Sequence, residues 1–151
     1  MGITQKYLDE LTYRILGCAI EVHKHLGPGL LESIYEECFK RELTLKGMSY
    51  QTQKKAELYY KGLCMDADLR FDILIEDLII VELKSIEGLL PVHDAVLLTY
   101  MRLMEKPKGI LINFNCTNIF HCGQKTLVNK LYSELPKKIN YDDLCVYDSM
   151  W

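Results

Sequence analysis

The sequence predicts an α/β fold with a mixed central β-sheet flanked by α-helices. Two N-terminal segments place apolar residues at helical spacing, and short runs rich in isoleucine, valine and leucine occupy the middle of the chain. A strand–helix–strand pattern follows these runs. The 151 residues, of which 49% are hydrophobic and 26% charged, are consistent with one compact core. We expect residues 1–122 to form the main domain and residues 123–151 to form a C-terminal extension packed on it.

Two helices are predicted before the first strand. The first spans about residues 4–25, where the apolar residues share one face, and the Gly-Pro-Gly sequence at 27–29 ends it. The second spans about residues 30–46 and ends at Gly47. Glu32 falls in the first turn of this second helix, where the helix dipole favours an anion.

The apolar runs that follow predict three strands, at about residues 50–60, 63–75 and 78–85, with Lys61-Gly62 as a turn. Later elements are a helix at about 92–105 that Pro91 begins, a strand at 108–114 and a shorter strand at 117–121. The strand–helix–strand link favours parallel pairing of 78–85 with 108–114.

The C-terminal extension is predicted to contain one short helix. A short helix that ends at Pro136 is indicated by the spacing of Thr126, Leu127, Leu131 and Leu135. A last apolar group either docks on the main domain or forms a surface for a partner protein or a second copy of the chain. Its members are Tyr141, Leu144, Val146, Tyr147 and Trp151.

Three charged residues interrupt the apolar runs at 71–84. Charge inside such a run is costly unless it is paired or binds an ion. Glu82 and Lys84 share a face because side chains two apart on a strand point the same way. If the two runs pair as a hairpin, Asp72 lies close to Glu82, and two carboxylates can hold a hard cation such as magnesium. A buried Asp72–Lys84 ion pair, or charges on an open sheet face, are equally good interpretations of these residues alone.

The metal-site interpretation requires a particular hairpin register, in which Asp72 and Glu82 lie on the same face. A two-residue loop at Glu76-Asp77 would pair Ile75 with Leu78 and turn Asp72 away from Glu82. A three-residue loop or a β-bulge near 76–78 is needed to bring the two carboxylates onto one face.

Two motifs resemble a known protein family. Residues 21–35 read EVHKHLGPGLLESIY, with Gly29, Glu32 and Tyr35 at the spacing of the GxxExxY protein family, and residues 110–114 read ILINF, similar to a strand of that family. The similarity runs in order from about residue 8 to about residue 121 of the chain. The family is assigned to the PD-(D/E)XK nuclease superfamily, whose signature of an Asp followed by Glu-X-Lys resembles the pattern made by Asp72, Glu82 and Lys84.

The resemblance implies a restriction-endonuclease-like core and a metal-dependent nuclease-like phosphodiesterase. Asp72 and Glu82 would hold Mg²⁺ or Mn²⁺, and the carbonyl of Leu83 would add a ligand. Lys84 would position the attacking water or stabilise charge on the phosphate. Glu32 would bind the metal through water or hold a second ion. The substrate would be nucleic acid, either DNA or RNA.

One position departs from the family pattern. Members usually carry a Gln four residues before a Tyr on the helix that follows Glu-X-Lys, and here Tyr100 matches but Val96 replaces the Gln. Valine cannot hydrogen-bond, so catalysis is expected to be weakened. The alternative is a nucleic-acid-binding or protein-binding module without activity. His23, from the Val-His pair of the family motif, and Tyr100 are supporting candidates.

The net charge of −3 excludes a globally basic nucleic-acid-binding protein, so any basic surface must be local. The candidate basic residues are Lys54, Lys55, Lys61, Arg70, Arg102, Lys106 and Lys108.

Six scattered cysteines and no signal peptide favour free thiols in a cytoplasmic protein. A zinc site at Cys116, His121 and Cys122 is a minor alternative, since the spacing fits no common finger. No apolar run approaches the ~20 residues of a transmembrane helix.

Overall fold

The computed structural model describes residues 2–52 and 55–139, except the side chains at 56 and 66–69. Its helices are α1 (Gln5–Leu26), α2 (Glu32–Leu45), α3 (Pro91–Leu103), α4 (Ile119–Cys122) and α5 (Lys130–Ser133). Its strands are β1 (Tyr50–Thr52), β2 (Lys55–Tyr60), β3 (Leu63–Arg70), β4 (Ile73–Ile75), β5 (Ile79–Lys84), β6 (Lys108–Asn113) and β7 (Gln124–Val128).

Local signals in the sequence begin and end the long N-terminal helices close to the expected positions. The Thr4 hydroxyl accepts a hydrogen bond of 3.0 Å from the Tyr7 amide and caps α1. Gly27 ends this helix with a φ of 66°, a left-handed value that glycine adopts without strain. The Tyr35 hydroxyl on α2 donates to the Gly27 carbonyl at 2.5 Å, so it closes the loop between the two helices.

Five strands form the central sheet in the order β1-β4-β5-β6-β7. β5 pairs in parallel with β6, as the strand–helix–strand link predicts, and the other neighbouring pairs are antiparallel. Helices cover both faces. One buried cluster includes side chains of α1 and α2 with Ile73, Val81 and Leu83, and the other joins α3 to Leu74 and Ile80. This mixed α/β sheet with flanking helices is the restriction-endonuclease-like fold that was expected.

The loop between β4 and β5 has three residues, which is a length that brings Asp72 and Glu82 onto the same face of the sheet. Ile75 pairs with Ile79 and Ile73 pairs with Val81, so continuing the register places Asp72 opposite Glu82. Glu76 and Asp77 adopt left-handed φ values of 52° and 56° within this loop. Both oxygens of the Glu76 carboxylate accept hydrogen bonds from Ser49, which ties the loop to the start of β1.

The strands expected at 50–60 and at 63–75 are each divided between two sheets, the first into β1 and β2 and the second into β3 and β4. β3 ends at Arg70, and β4 begins at Ile73. β3 pairs with β2 in a separate two-stranded sheet, with Lys61-Gly62 at the turn as predicted. The fully buried Phe71 packs into the α3 cluster, which holds the chain where it passes from one sheet to the other.

Two expectations near the C-terminus are wrong. Residues 117–121 do not form a strand, because the Asn118 side chain accepts a hydrogen bond from the His121 amide and begins α4 instead. Thr126 and Leu127 are not helical but lie in β7, which pairs along the edge of β6. Without β7, the edge of β6 would leave its amides and carbonyls unpaired, so residues 124–128 pair with β6 as a strand. The predicted helix is therefore limited to α5.

The described part of the extension packs on the main body. β7 is the fifth strand of the sheet, and the Gln5 amide on α1 donates to the Pro136 carbonyl at 2.8 Å. The apolar group Tyr141, Leu144, Val146, Tyr147 and Trp151 lies outside the described residues.

Candidate active site

Asp72 and Glu82 face each other where β4 begins and β5 ends. The Glu82 carboxylate oxygen Oε1 accepts a hydrogen bond of 3.0 Å from the Asp72 amide. The Asp72 oxygen Oδ2 in turn accepts one of 2.8 Å from the Leu83 amide. Each side chain is therefore held by the backbone of the opposite strand, which fixes the two acids side by side.

Burial gives Glu82 an unusual titration. Glu82 is only 6% exposed. Desolvation, together with the negative charge of Asp72, raises the pKa of Glu82 to about 8. The Asp72 amide and the positive charge of Lys84 oppose this rise. Two acids in such contact need a proton or a cation between them, because two adjacent negative charges out of water are costly.

Lys84 and the backbone of Leu83 complete the strand-borne part of the site. Glu82 and the half-buried Lys84 lie on the same face of the sheet, as their spacing predicts. The N–H and C=O of one strand residue point to the same edge. The Leu83 amide points toward Asp72, so its carbonyl is also directed to that edge.

Glu32 approaches from the first position of α2. Partial burial raises the pKa of its carboxyl group, with Lys84 lowering it and Asp72 raising it, so the group lies within electrostatic range of both. The loop contacts explain this placement. The Ser85 hydroxyl, one residue after β5, donates to the Leu30 carbonyl at 2.6 Å and ties the start of α2 to the end of β5.

Glu36 is a further acid that the sequence reasoning missed. One of its carboxylate oxygens, Oε1, is buried without a hydrogen-bond partner among the described residues. Burial raises its pKa, and the negative charge of Asp72 adds to the effect. The spacing of four residues after Glu32, which puts both acids on one side of α2, was the available signal. The adjacent Lys40 ammonium pairs with Glu37 at 2.7 Å instead.

The donor set suits a metal held by few protein ligands. In the part of the chain that the structure describes, no three His, Cys, Asp or Glu side chains gather closely enough to form a metal cluster. Asp72 and Glu82 therefore offer two carboxylates, and magnesium commonly binds one or two carboxylates while it keeps several waters. The buried, unpartnered oxygen of Glu36 adds negative potential nearby, so these residues fit a divalent cation of this kind.

The two residues expected to support the site, His23 and Tyr100, lie in different parts of the structure. His23 is held by the loop between β6 and α4, since its Nε2 atom lies 2.9 Å from the Cys116 carbonyl oxygen. The half-buried Tyr100 places its ring edge-on to Phe71, next to Asp72, at 6.4 Å between centroids. Val96, one turn earlier on α3, is 43% exposed.

Two of the lysines that were candidates for a basic surface form ion pairs with aspartates. The buried ammonium of Lys108 pairs with Asp9 at 2.8 Å, and that of Lys106 pairs with Asp77 at 3.0 Å. Lys54 lies outside the described residues.

The cysteines that the structure describes, at positions 18, 38, 64, 116 and 122, are all free thiols. The absence of a metal cluster among the described residues gives the zinc interpretation no support. No helix in the described part combines the length and apolar character that a membrane crossing needs.

The fold and this pair of carboxylates define an α/β protein of the restriction-endonuclease type. The sequence profile of the PD-(D/E)XK nuclease superfamily matches residues 9–125, and the chain belongs to that superfamily. No curated protein and no solved structure matches the chain. Nucleases of this superfamily generally use divalent metal ions.

Proposed function

We propose that this protein is a metal-dependent phosphodiesterase that hydrolyses the backbone of nucleic acid, and that it is a member of the GxxExxY family. The observation that carries the proposal is the contact of the Asp72 and Glu82 carboxylates beside Lys84. A structural ion pair would not need two acids in contact, one of them buried with its pKa raised to about 8.

The roles follow from the positions of the groups. Asp72 and Glu82, with the Leu83 carbonyl, would hold Mg²⁺ or Mn²⁺. The bound ion would lower the pKa of a water and support charge that develops on the phosphate. Lys84 would hold the attacking water in line with the phosphorus or stabilise the phosphate oxygens. Glu32 would reach the site through a bridging water, which suits its exposed position at the start of α2.

Glu82→Ala tests the proposal most directly. Purified protein should cut DNA or RNA only with magnesium or manganese, and Glu82→Ala should abolish the cutting because one carboxylate cannot replace two. Glu10→Ala, an exposed acid on α1, is the matched control and should keep wild-type activity. Cleavage that survives both Glu82→Ala and a chelator would mean a contaminant or another site, and would refute the assignment.

The second candidate function is a binding module of the same fold without catalysis. Val96 favours it, because an exposed apolar side chain stands where the family usually has an amide. Val96→Gln should raise a weak cleavage rate if the surroundings still accept the amide, and Val96→Leu is the control that restores no hydrogen bond. Metal-independent binding of nucleic acid, with no cleavage by the wild type or by Val96→Gln, would favour the binding module.

The cellular setting is part of the proposal. Free thiols at all the described cysteines suit a reducing compartment, and we place the protein in the cytoplasm. We also propose that a second copy of the chain or a protein partner binds through the C-terminal extension, residues 123–151.

A further inference from the structure

The tip of the β2–β3 hairpin presents an apolar face to solvent. The pairs Leu58–Met65 and Tyr60–Leu63 place these four side chains on one face, because paired residues in antiparallel strands share a side. Tyr60 is 60% exposed, Leu63 is 63% and Met65 is 43%. Large apolar side chains grouped on one exposed face make it a candidate binding surface.

The same tip carries a second ring and a cation. Tyr59 is 62% exposed and alternates to the opposite face, where its hydroxyl donates to the Glu57 carboxylate. The Lys61 ammonium lies 5.4 Å from the centre of the Tyr60 ring. Lys61 is the only charged residue between positions 58 and 65 in the sequence, so the face that carries the Tyr60 ring is locally positive.

The hairpin is joined directly to the candidate active site. β3 ends at Arg70, and only the buried Phe71 separates that residue from Asp72. Leu63 precedes Asp72 by nine residues, so it lies within about 30 Å of the Asp72 carboxylate at the rise of an extended strand. In addition, three residues of β3 oppose one of β2 between the pairs Ala56–Leu69 and Leu58–Met65. Such an irregularity bends a hairpin away from the plane of its base.

We propose that this tip, formed by Tyr59, Tyr60, Lys61 and Leu63, binds unpaired bases of the nucleic-acid strand whose backbone is cut at Asp72 and Glu82. The inference rests on the proposed function and names its substrate class, a strand with single-stranded bases. Tyrosine rings stack on the flat faces of bases, which are accessible only where the bases are unpaired. A lysine beside such a ring meets the phosphates that flank the stacked base.

Charge and position favour this occupant over a protein. The Tyr60 face of the tip offers the Lys61 ammonium to a polyanion, whereas the Glu57 carboxylate lies with Tyr59 on the opposite face. The strand that leaves the tip leads to a pair of carboxylates suited to phosphate chemistry. A surface that bound a second copy of the chain through apolar contacts would not need the Lys61 ammonium at its centre. Self-association through the tip is therefore an outcome that the experiment must detect.

Fluorescence anisotropy with labelled oligothymidine, oligouridine and a matching duplex tests the proposal, with Ca²⁺ in place of Mg²⁺ to limit cleavage. Tyr60→Ala should weaken single-strand binding about 5- to 100-fold, since stacking on one aromatic ring accounts for this much. Tyr60→Phe keeps the ring and should bind like the wild type. Tyr13→Ala removes a tyrosine that is 78% exposed on α1 and serves as the matched control. Lys61→Ala should reduce the salt dependence of binding.

The outcomes separate this inference from the proposed function. If the wild type cleaves with magnesium but Tyr60→Ala binds every oligonucleotide normally, the tip proposal is overturned and the catalytic proposal stands. If binding depends on Tyr60 but no divalent ion supports cleavage, the catalytic proposal fails and the tip proposal stands. Equal affinity for the duplex also overturns the tip proposal, as does a dimer in sedimentation that Tyr60→Ala dissociates. Unchanged circular dichroism of the variants, Tyr60→Phe included, shows that each has folded.

Discussion

Two hairpins of this molecule, β4–β5 and β2–β3, use similar local chemistry in opposite surroundings. Each contains an apolar run and a turn with two residues at left-handed φ, Glu76 and Asp77 in one and Lys61 and Gly62 in the other. All three residues of β4 and the first five of β5 are buried. The four residues around the other turn, Tyr59 to Gly62, are all exposed.

The difference lies in the neighbours that each hairpin has. β4 and β5 have β1 and β6 on either side and helices on both faces of the sheet, whereas β2 and β3 pair only with each other. A charged group in the first hairpin is therefore desolvated, and this burial raises the pKa of Glu82. A ring in the second stays open to solvent and can contact a ligand. One hairpin is suited to hold a reactive centre rigidly, and the other is suited to meet a large substrate.

Hydrogen exchange should show the largest contrast between the hairpins. Amides of β5 should exchange only through global unfolding, whereas β2–β3 amides near the turn should exchange through local opening. We expect protection of β5 to exceed that of the hairpin tip by about 1,000-fold or more. Native-state exchange followed by mass spectrometry or NMR measures this ratio. Equal protection would mean that both hairpins belong to one cooperative unit and would remove the contrast.

A matched pair of Leu→Ala substitutions should show the next largest effect. Leu74 on β4 is fully buried and Leu63 is 63% exposed. Leu74→Ala should cost about 2–5 kcal/mol of unfolding free energy, since it removes apolar contacts and leaves a cavity. Leu63→Ala should stay within about 0.5 kcal/mol. Urea denaturation measures both, and a cost at Leu63 close to that at Leu74 would show that the tip is covered.

The titration of Glu82 should produce a smaller effect that depends on pH. Its pKa in the folded protein, about 8, exceeds its ordinary value of 4.5. Above pH 4.5 the unfolded chain loses a proton that the folded protein keeps, so this group lowers stability progressively as pH rises to about 8. We expect Tm to fall by roughly 5 °C or more across this window.

Thermal melts from pH 4.5 to pH 8.5 in the presence of a chelator measure this loss for the wild type and for Glu82→Gln. The variant should show a flatter profile, because its side chain does not titrate. Magnesium should raise Tm more at pH 8 than at pH 5, since a cation competes with the proton for the carboxylate. Parallel profiles for wild type and variant would show that Glu82 is ionised throughout and would remove the argument for a shared proton or cation.

Much of the candidate site could be predicted from the sequence because its geometry follows from periodicity. Side chains alternate on a strand, so Asp72 meets Glu82 only if the loop between β4 and β5 has three residues, and the observed register has this loop. Helix ends at Thr4 and Gly27 depend on nearest neighbours along the chain, and they fall close to the expected positions.

The missed features depend on contacts between distant segments. Glu36 is unremarkable in the sequence, and its oxygen becomes buried only when α2 packs near the strands that carry Asp72. β7 has weak strand character and forms because the edge of β6 needs a partner. The break between β3 and β4 depends in the same way on the burial of Phe71 against α3.

The sequence by itself determined the two N-terminal helices, the parallel pairing of β5 with β6, the alternation that aligns the two carboxylates, and the superfamily. Those properties arise from local conformational preferences and from the two-residue period of a strand, which act over a few residues. Only the tertiary structure decided which hairpin is buried, how strongly Glu82 is desolvated and which aromatic residues face solvent. Burial is a property of the packed chain, because it depends on segments that are far apart in sequence and meet only when the chain folds.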